Sequence, residues 1–353
     1  MRETQRPRSQ SDRMPRSEAV GEGGVRDIAA AFFTLSALSL VTSAFGAATS
    51  VGDTGTYPVK PIRLLVGFPP GGGNDALARL VAPRLAEKLG KPIVIDNRPG
   101  AGGNLAAELT AKAPADGYTI LIASSTHPIA RLLKKDLPYD PQKDFAGVSQ
   151  LVVYRSLLVV YPGFPGKTVK DLIALAKAKP GQINFSSSGN GTGSHLAGEL
   201  FKVAAQVDMT HVPYKGGAQA ALDVVAGRVE TMFSPLVPVL AHIKSRRLRP
   251  VAVTSLNRSR LLPELPTISD SGVPGYEFVS WYGILAPAAT PRVIVAKLNQ
   301  ALNDVMRQPE VTQQAHAEDM DVIDGTPAQF DQLRSTMVAK WEKIIKATGI
   351  EGN

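Results

Sequence analysis

The feature that most constrains this chain is a strand, a Gly-rich loop and a helix that recur in that order. PIRLLVG (61–67) is a short apolar run broken only by Arg63, the pattern of a buried strand. FPPGGGND breaks it, and apolar residues then return at helical spacing at Leu77, Leu80, Val81, Leu85 and Leu89. KPIVID (91–96) predicts the next strand, and NRPGAGGN (97–104) a second Gly-rich turn into a helix. YTILIA (118–123) predicts a third strand, entered by the turn at Asp116-Gly117. This alternation is the grammar of βαβ units around a parallel sheet, which makes the fold class α/β.

The grammar continues to the end of the chain. Strands are expected at 157–161, 183–186, 209–213, 229–233 and 250–254. Helices are expected at 196–205 and 219–226, and another where Thr168 and Asp171 form a capping pair ahead of Leu172, Ile173, Leu175 and Ala176. Of two amphipathic tail helices, one carries Ile294, Leu298, Leu302 and Val305. The other opens at Thr326-Pro327, carries Phe330, Leu333, Met337, Trp341 and Ile344 on one stripe, and stops at Gly349. With 353 residues the chain is about the right length for two domains.

The start of the chain reads as an export leader. Arg2, Arg6, Arg8, Arg13, Arg16 and Arg26 precede the apolar run IAAAFFTLSALSLV (28–41), and TSAFGAATS supplies small residues after it. The run is shorter than the roughly 20 residues of a membrane span. Residues 1–46 are therefore expected to be a signal peptide, cut after Gly46 or Ala48, with Met14 as an alternative start. The mature protein is expected in the periplasm.

Several function classes fall away. Lys and Arg exceed Asp and Glu by 39 − 31 = 8, but no block of like charge appears, so nucleic acid is not an expected partner. The absence of Cys excludes disulfides, Cys-ligated zinc, thiol catalysis and a lipid-anchored Cys. The five His residues show no metal spacing, and neither a metal nor a cofactor is expected. Gly166-Lys167-Thr168 resembles the end of a phosphate-binding loop, but Tyr161 stands where that motif needs Gly. Ser194-His195 invites comparison with a nucleophile and base, yet Thr192 occupies the first Gly position of a G-x-S-x-G elbow. The chain is expected not to be an enzyme.

What remains is a pair of loops, GGGND (71–75) and SSGNGTGSH (187–195), each set between a strand and a helix. Gly lets backbone N–H groups approach a ligand, and a helix N-terminus adds orphan donors and positive potential. Neither loop holds Lys or Arg. Two such loops in different lobes suggest a two-jawed anion clamp at a lobe interface. His195 is a candidate contact from its place behind the second loop, while Asp75 either caps its helix or touches the ligand.

At these residues the chain resembles the Bug family, the substrate-binding receptors of tripartite tricarboxylate transporters. The resemblance runs from residue 57 to Gly349 through YPVKPIRLLVGFPPGGGNDALAR, NRPGAGGNLAAE, LPYDPQKDF, SSSGNGTGSHLAGELF, VPYKGGAQAALDVVAGRVETMF and SWYGILAPAATP. It implies a two-lobed periplasmic-binding-protein fold of the Venus flytrap type (type II) with two interlobe crossings. One lobe would hold 57–155 plus 280–353, and the other 156–279. It further implies a small carboxylate, an organic or amino acid, gripped by Gly71, Gly72, Gly73, Asn74, Asp75 and Ser125 from the first lobe. From the second would come Ser187, Asn190, Gly191, Thr192 and His195, with Tyr214 and the run to Gly217 near the cleft. The partners implied are this carboxylate and the permease subunits of the transporter, with the receptor a monomer. The alternatives are a receptor that presents ligand to a sensor kinase and, from the enzyme class, a secreted hydrolase. Pro70, Asn74 and Ala130 depart from the usual pattern of the family, which leaves the ligand's identity open.

Overall fold

The computed structural model describes residues 56–348 and 350. The expected leader, residues 1–46, and the stop at Gly349 lie outside the described residues. The strands are β1 (Ile62–Val66), β2 (Ile93–Asn97), β3 (Thr119–Ser124), β4 (Phe145–Val160), β5 (Asn184–Ser187), β6 (Thr210–Pro213), β7 (Thr231–Pro235), β8 (Arg249–Val253), β9 (Val279–Pro287) and β10 (Met320–Val322). The helices are α1 (Gly73–Leu89), α2 (Asn104–Ala111), α3 (Ala130–Leu133), α4 (Val169–Ala178), α5 (Gly193–Ala205), α6 (Gly217–Val225), α7 (Leu236–Lys244), α8 (Arg292–Met306), α9 (Pro309–Ala317) and α10 (Pro327–Thr348).

The architecture is α/β with two lobes. β2, β1 and β3 run parallel, as do β6, β5 and β7. The parallel pairing expected of the βαβ units holds within each set of three, while β9 lies antiparallel between β3 and β4, and β4 is antiparallel to β7. β4 was expected only over its last residues, yet it extends from Phe145 to Val160. Arg155 and Ser156 interrupt its apolar run, and its partners change at that break. Phe145–Arg155 pair with β9, whereas Ser156–Val160 pair with β7. One strand thus carries the chain out of the first group of strands, and the chain returns just before β9.

Each group is covered by helices on both faces, because strands buried on both sides require it. In the first, α1 and α8 bury Leu77, Leu85, Leu298 and Leu302 against Ile62, Leu64 and Ile120. Across the sheet, Ala106 of α2 and Phe330 of α10 meet Leu65 and Leu285. In the second, α4 and α5 bury Leu172, Leu196 and Phe201 against Leu158 and Phe233, while α6 and α7 cover Leu157 and Val159. Helix α10 touches both groups. Phe330 packs edge-on to Trp281 at 4.9 Å, and Trp341 packs against Phe278 at 6.1 Å. Its start is a capping pair in which Thr326 Oγ1 accepts from Gln329 N–H and Gln329 Oε1 accepts from Thr326 N–H. α7, α9, β9 and β10 were not anticipated. The last two are a buried run and a three-residue strand whose roles depend on β4 beside them.

Candidate functional site

Helix α1 begins at Gly73 because Gly71 and Gly72 turn the chain sharply out of β1, Gly71 at φ +91°. Asp75, the third helical residue, fastens that turn. Its Oδ2 accepts from Gly71 N–H at 3.1 Å and from Arg79 Nε at 2.9 Å, and its Oδ1 accepts from Asn97 Nδ2 at 2.9 Å. Burial opposes the charge, but the hydrogen bonds from Arg79, Asn97 and Gly71 hold the carboxyl below its usual range. Asp75 therefore braces the loop and does not line the cavity in front of it.

The second loop is braced without a carboxylate. Ser187 Oγ accepts from Gly189 N–H at 3.1 Å and lies 2.6 Å from His211 Nε2. Ser194 Oγ accepts from Ser188 N–H, and Thr192 Oγ1 donates to Gly189 O at 2.7 Å. His195 Nδ1 accepts from Gly191 N–H at 3.1 Å, and its ring stacks on His211 at 4.0 Å. Burial first, with Lys202 nearby, pulls the His195 imidazole down to about 4. Burial and then His195 take His211 down to about 3. Both rings are thus neutral at neutral pH.

With the loops braced internally, the first-turn N–H groups of three helices stay without a protein partner among the described residues. They belong to α1 (Gly73, Asn74), α5 (Gly193, Ser194) and α6 (Gly217, Ala218). All six residues line one cavity of about 270 Å³, together with Ser156, Tyr154 and Tyr282. Asn74 is 6% exposed and its Nδ2 has no partner. An unpaired buried amide costs about 1–3 kcal/mol, so this donor is available to an acceptor in the cavity. Gly73 is needed for packing, since a Cβ there would fall on the Tyr282 hydroxyl.

A second, larger cavity of about 960 Å³ adjoins the first, and both are lined by Phe68, Pro69, Asn74, Ser124, Ser188 and Lys215. Gly102 and Asn190 close toward each other across it, so that a Cβ on Gly102 would stand 2.6 Å from Asn190 O.

Of the residues expected from sequence, Gly72, Gly73, Asn74 and Thr192 line the smaller cavity, and Asn74, Asn190, Gly191 and Tyr214 the larger. Gly71, Asp75, Ser125, Ser187 and His195 line neither: the last four are buried behind the wall, and Gly71 is exposed. Ser125 is buried against Ser280, whereas its neighbour Ser124 faces both cavities. The Tyr214 hydroxyl is turned away, donating to Asp223 Oδ2 at 2.6 Å. The resemblance puts Tyr214–Gly217 near the cleft, but the free N–H groups at the α6 terminus were not foreseen. The Lys-Gly-Gly run at 215–217 was the available signal, a Gly pair opening a helix as in the other two loops. Lys215 lines both cavities and has no acidic partner among the described residues.

No group of three or more His, Asp or Glu among the described residues could hold a metal ion. No helix among them is long and apolar enough to cross a membrane.

Comparison with known proteins places this geometry in a family. Protein BugT of Bordetella pertussis is 34% identical over 83% of this chain and 91% of its own length. The solved structure of R. palustris Rpa4515 with adipate is 38% identical, with a TM-score of 0.81, covering 84% of this chain and 99% of that one. MatC (Rpa3494) from Rhodopseudomonas palustris with bound malate is 30% identical, with a TM-score of 0.78, covering 82% of this chain and 100% of that one. The family profile described as tripartite tricarboxylate transporter family receptor matches residues 77–350. The chain belongs to this receptor family, of which the Bug proteins are members and whose business is solute binding, not catalysis.

Proposed function

We propose that this protein captures a small carboxylate between its lobes, in the periplasm, and delivers it as a monomer to the permease of a tripartite transporter. The observation that carries this reading is the convergence of three helix N-termini and the free Asn74 amide on one small cavity. Fixed donors of this kind suit a carboxylate, because each hydrogen bond to a charged partner contributes about 1.5–3 kcal/mol. The proteins that bind adipate and malate in their solved structures support the ligand class. The partner exchange of β4 between Arg155 and Ser156 supports hinges there and near residues 279–280, with lobes of 57–155 plus 280–353 and 156–279. Removal of residues 1–46 belongs to the same reading.

Calorimetric titration with straight-chain dicarboxylates, malate and citrate tests it, together with native mass spectrometry for a co-purified acid. Saturable binding of at least one acid is expected, lost in Gly73→Val and weakened less than tenfold in Lys215→Ala. Binding that disappears with Lys215 but survives Gly73→Val would replace the helix-terminus clamp by an ion-pair site. No bound acid by either method would remove the receptor reading.

A further inference from the structure

The smaller cavity accounts for one carboxylate, and the larger one holds a polar group that the clamp does not use. His127 sits in the turn after β3, where its N–H donates to Ser124 O and its carbonyl accepts from Ala130 N–H. Its ring is fixed by Tyr139, stacked at 6.0 Å, and by the edge-on Phe145 at 4.6 Å. The residue is 8% exposed and lines the larger cavity, and both ring nitrogens are buried without a partner. A ring that served packing alone would do as well as Phe, without the cost of two unpaired nitrogens. Asn104 lines the same cavity and accepts from the Tyr139 hydroxyl at 2.7 Å.

The charge around this group favours an anion. Lys134, Lys135 and Lys215 line the larger cavity against Asp136 alone. Behind the ring lies Arg334, 2% exposed, with its guanidinium donating to Asp331 and to the carbonyls of Phe145 and Pro141. Burial, and then Arg334, bring the imidazole down to about 3, so at neutral pH it offers one N–H and one lone pair. Apolar Leu121, Ile122, Ala123 and Leu133 also line the larger cavity.

We propose that His127 is a specificity-determining residue that donates to the second carboxylate of a dicarboxylic acid whose first carboxylate lies in the clamp. The proposal rests on the carboxylate-receptor reading and adds to it the residue that tells dicarboxylates from monocarboxylates. The test is calorimetry with succinate through suberate, each paired with the monocarboxylate of the same chain length, on the wild type and on His127→Phe, His127→Met and His127→Gln. Phe keeps the ring packing and Met changes its shape, so a packing defect in one variant does not decide the result.

Wild-type protein is expected to prefer one dicarboxylate over its monocarboxylate partner by at least about tenfold. His127→Phe and His127→Met should lower affinity for that dicarboxylate about tenfold or more and leave the monocarboxylate within about twofold. His127→Gln, which keeps a donor, should recover most of the preference. Equal losses for both acids, or no loss for the dicarboxylate, overturn the role of His127 and leave the receptor reading intact. A wild type that binds none of these acids, nor malate, nor citrate, overturns both.

Discussion

The two loops that open α1 and α5 leave the same resource free, first-turn N–H groups facing a cavity, but they are held by different chemistry. In the first, the single carboxylate of Asp75 gathers Gly71 N–H, Arg79 and Asn97. In the second, hydroxyls of Ser187, Thr192 and Ser194 and the rings of His195 and His211 share the task without formal charge. A carboxylate behind a helix N-terminus opposes an anion in front of it, and Arg79 offsets part of that charge. The neutral brace has no such conflict, but it needs unprotonated imidazoles. The comparison teaches that a clamp free of fixed charge at its surface can rest on either support, at different sensitivities to pH.

The largest effect should come from the charged brace. Asp75→Ala leaves Gly71 N–H without an acceptor, takes from Asn97 one of its two acceptors (Phe68 O remains) and frees the half-exposed Arg79, and should cost about 3 kcal/mol of stability. Urea unfolding measures this, and a loss below about 1 kcal/mol would mean that the carboxylate is no brace at all.

Acid should separate the two loops. His195 falls from an ordinary 6.5 to about 4 and His211 to about 3, so the unfolded chain binds more protons than the folded one through that interval. The stability that the neutral rings contribute is complete above pH 6.5 and lost as pH falls toward 4, on the order of 2–3 kcal/mol. His127 adds to the same loss from the turn after β3. Asp75, held below its ordinary 3.8, keeps its bonds throughout that window. Amide exchange at pH 5 should therefore rise at 187–195 before it rises at 71–75. The reverse order would break the comparison.

The smallest effect is expected at Thr192→Val, which removes the bonds of one hydroxyl to Gly189 O and Ser194 Oγ and should cost about 1 kcal/mol. If ligand affinity falls much further than stability, the Thr192 hydroxyl also touches the ligand, and the brace is part of the jaw.

The sequence by itself determined what depends on neighbours a few positions apart. The Gly-rich breaks, the Thr168–Asp171 and Thr326–Gln329 caps, the apolar runs of β1 and β3 and the stripe of α10 are local, since each is decided within one turn or one strand. The two Gly-rich loops that open α1 and α5 were legible for the same reason. Tertiary structure alone decided which of their atoms face the cavity. Ser124 rather than Ser125 lines it, because successive side chains on a strand point to opposite faces and a shift of one residue changes sides. His195 and Asp75 turned inward because the N–H groups of their own loops needed acceptors. The α6 terminus joined the clamp, β9 ran antiparallel, and His127 came to the cavity wall with both nitrogens free, all through contacts between residues far apart in the chain. Hydrophobic periodicity carries no information about such pairings, so only the packed fold could supply them.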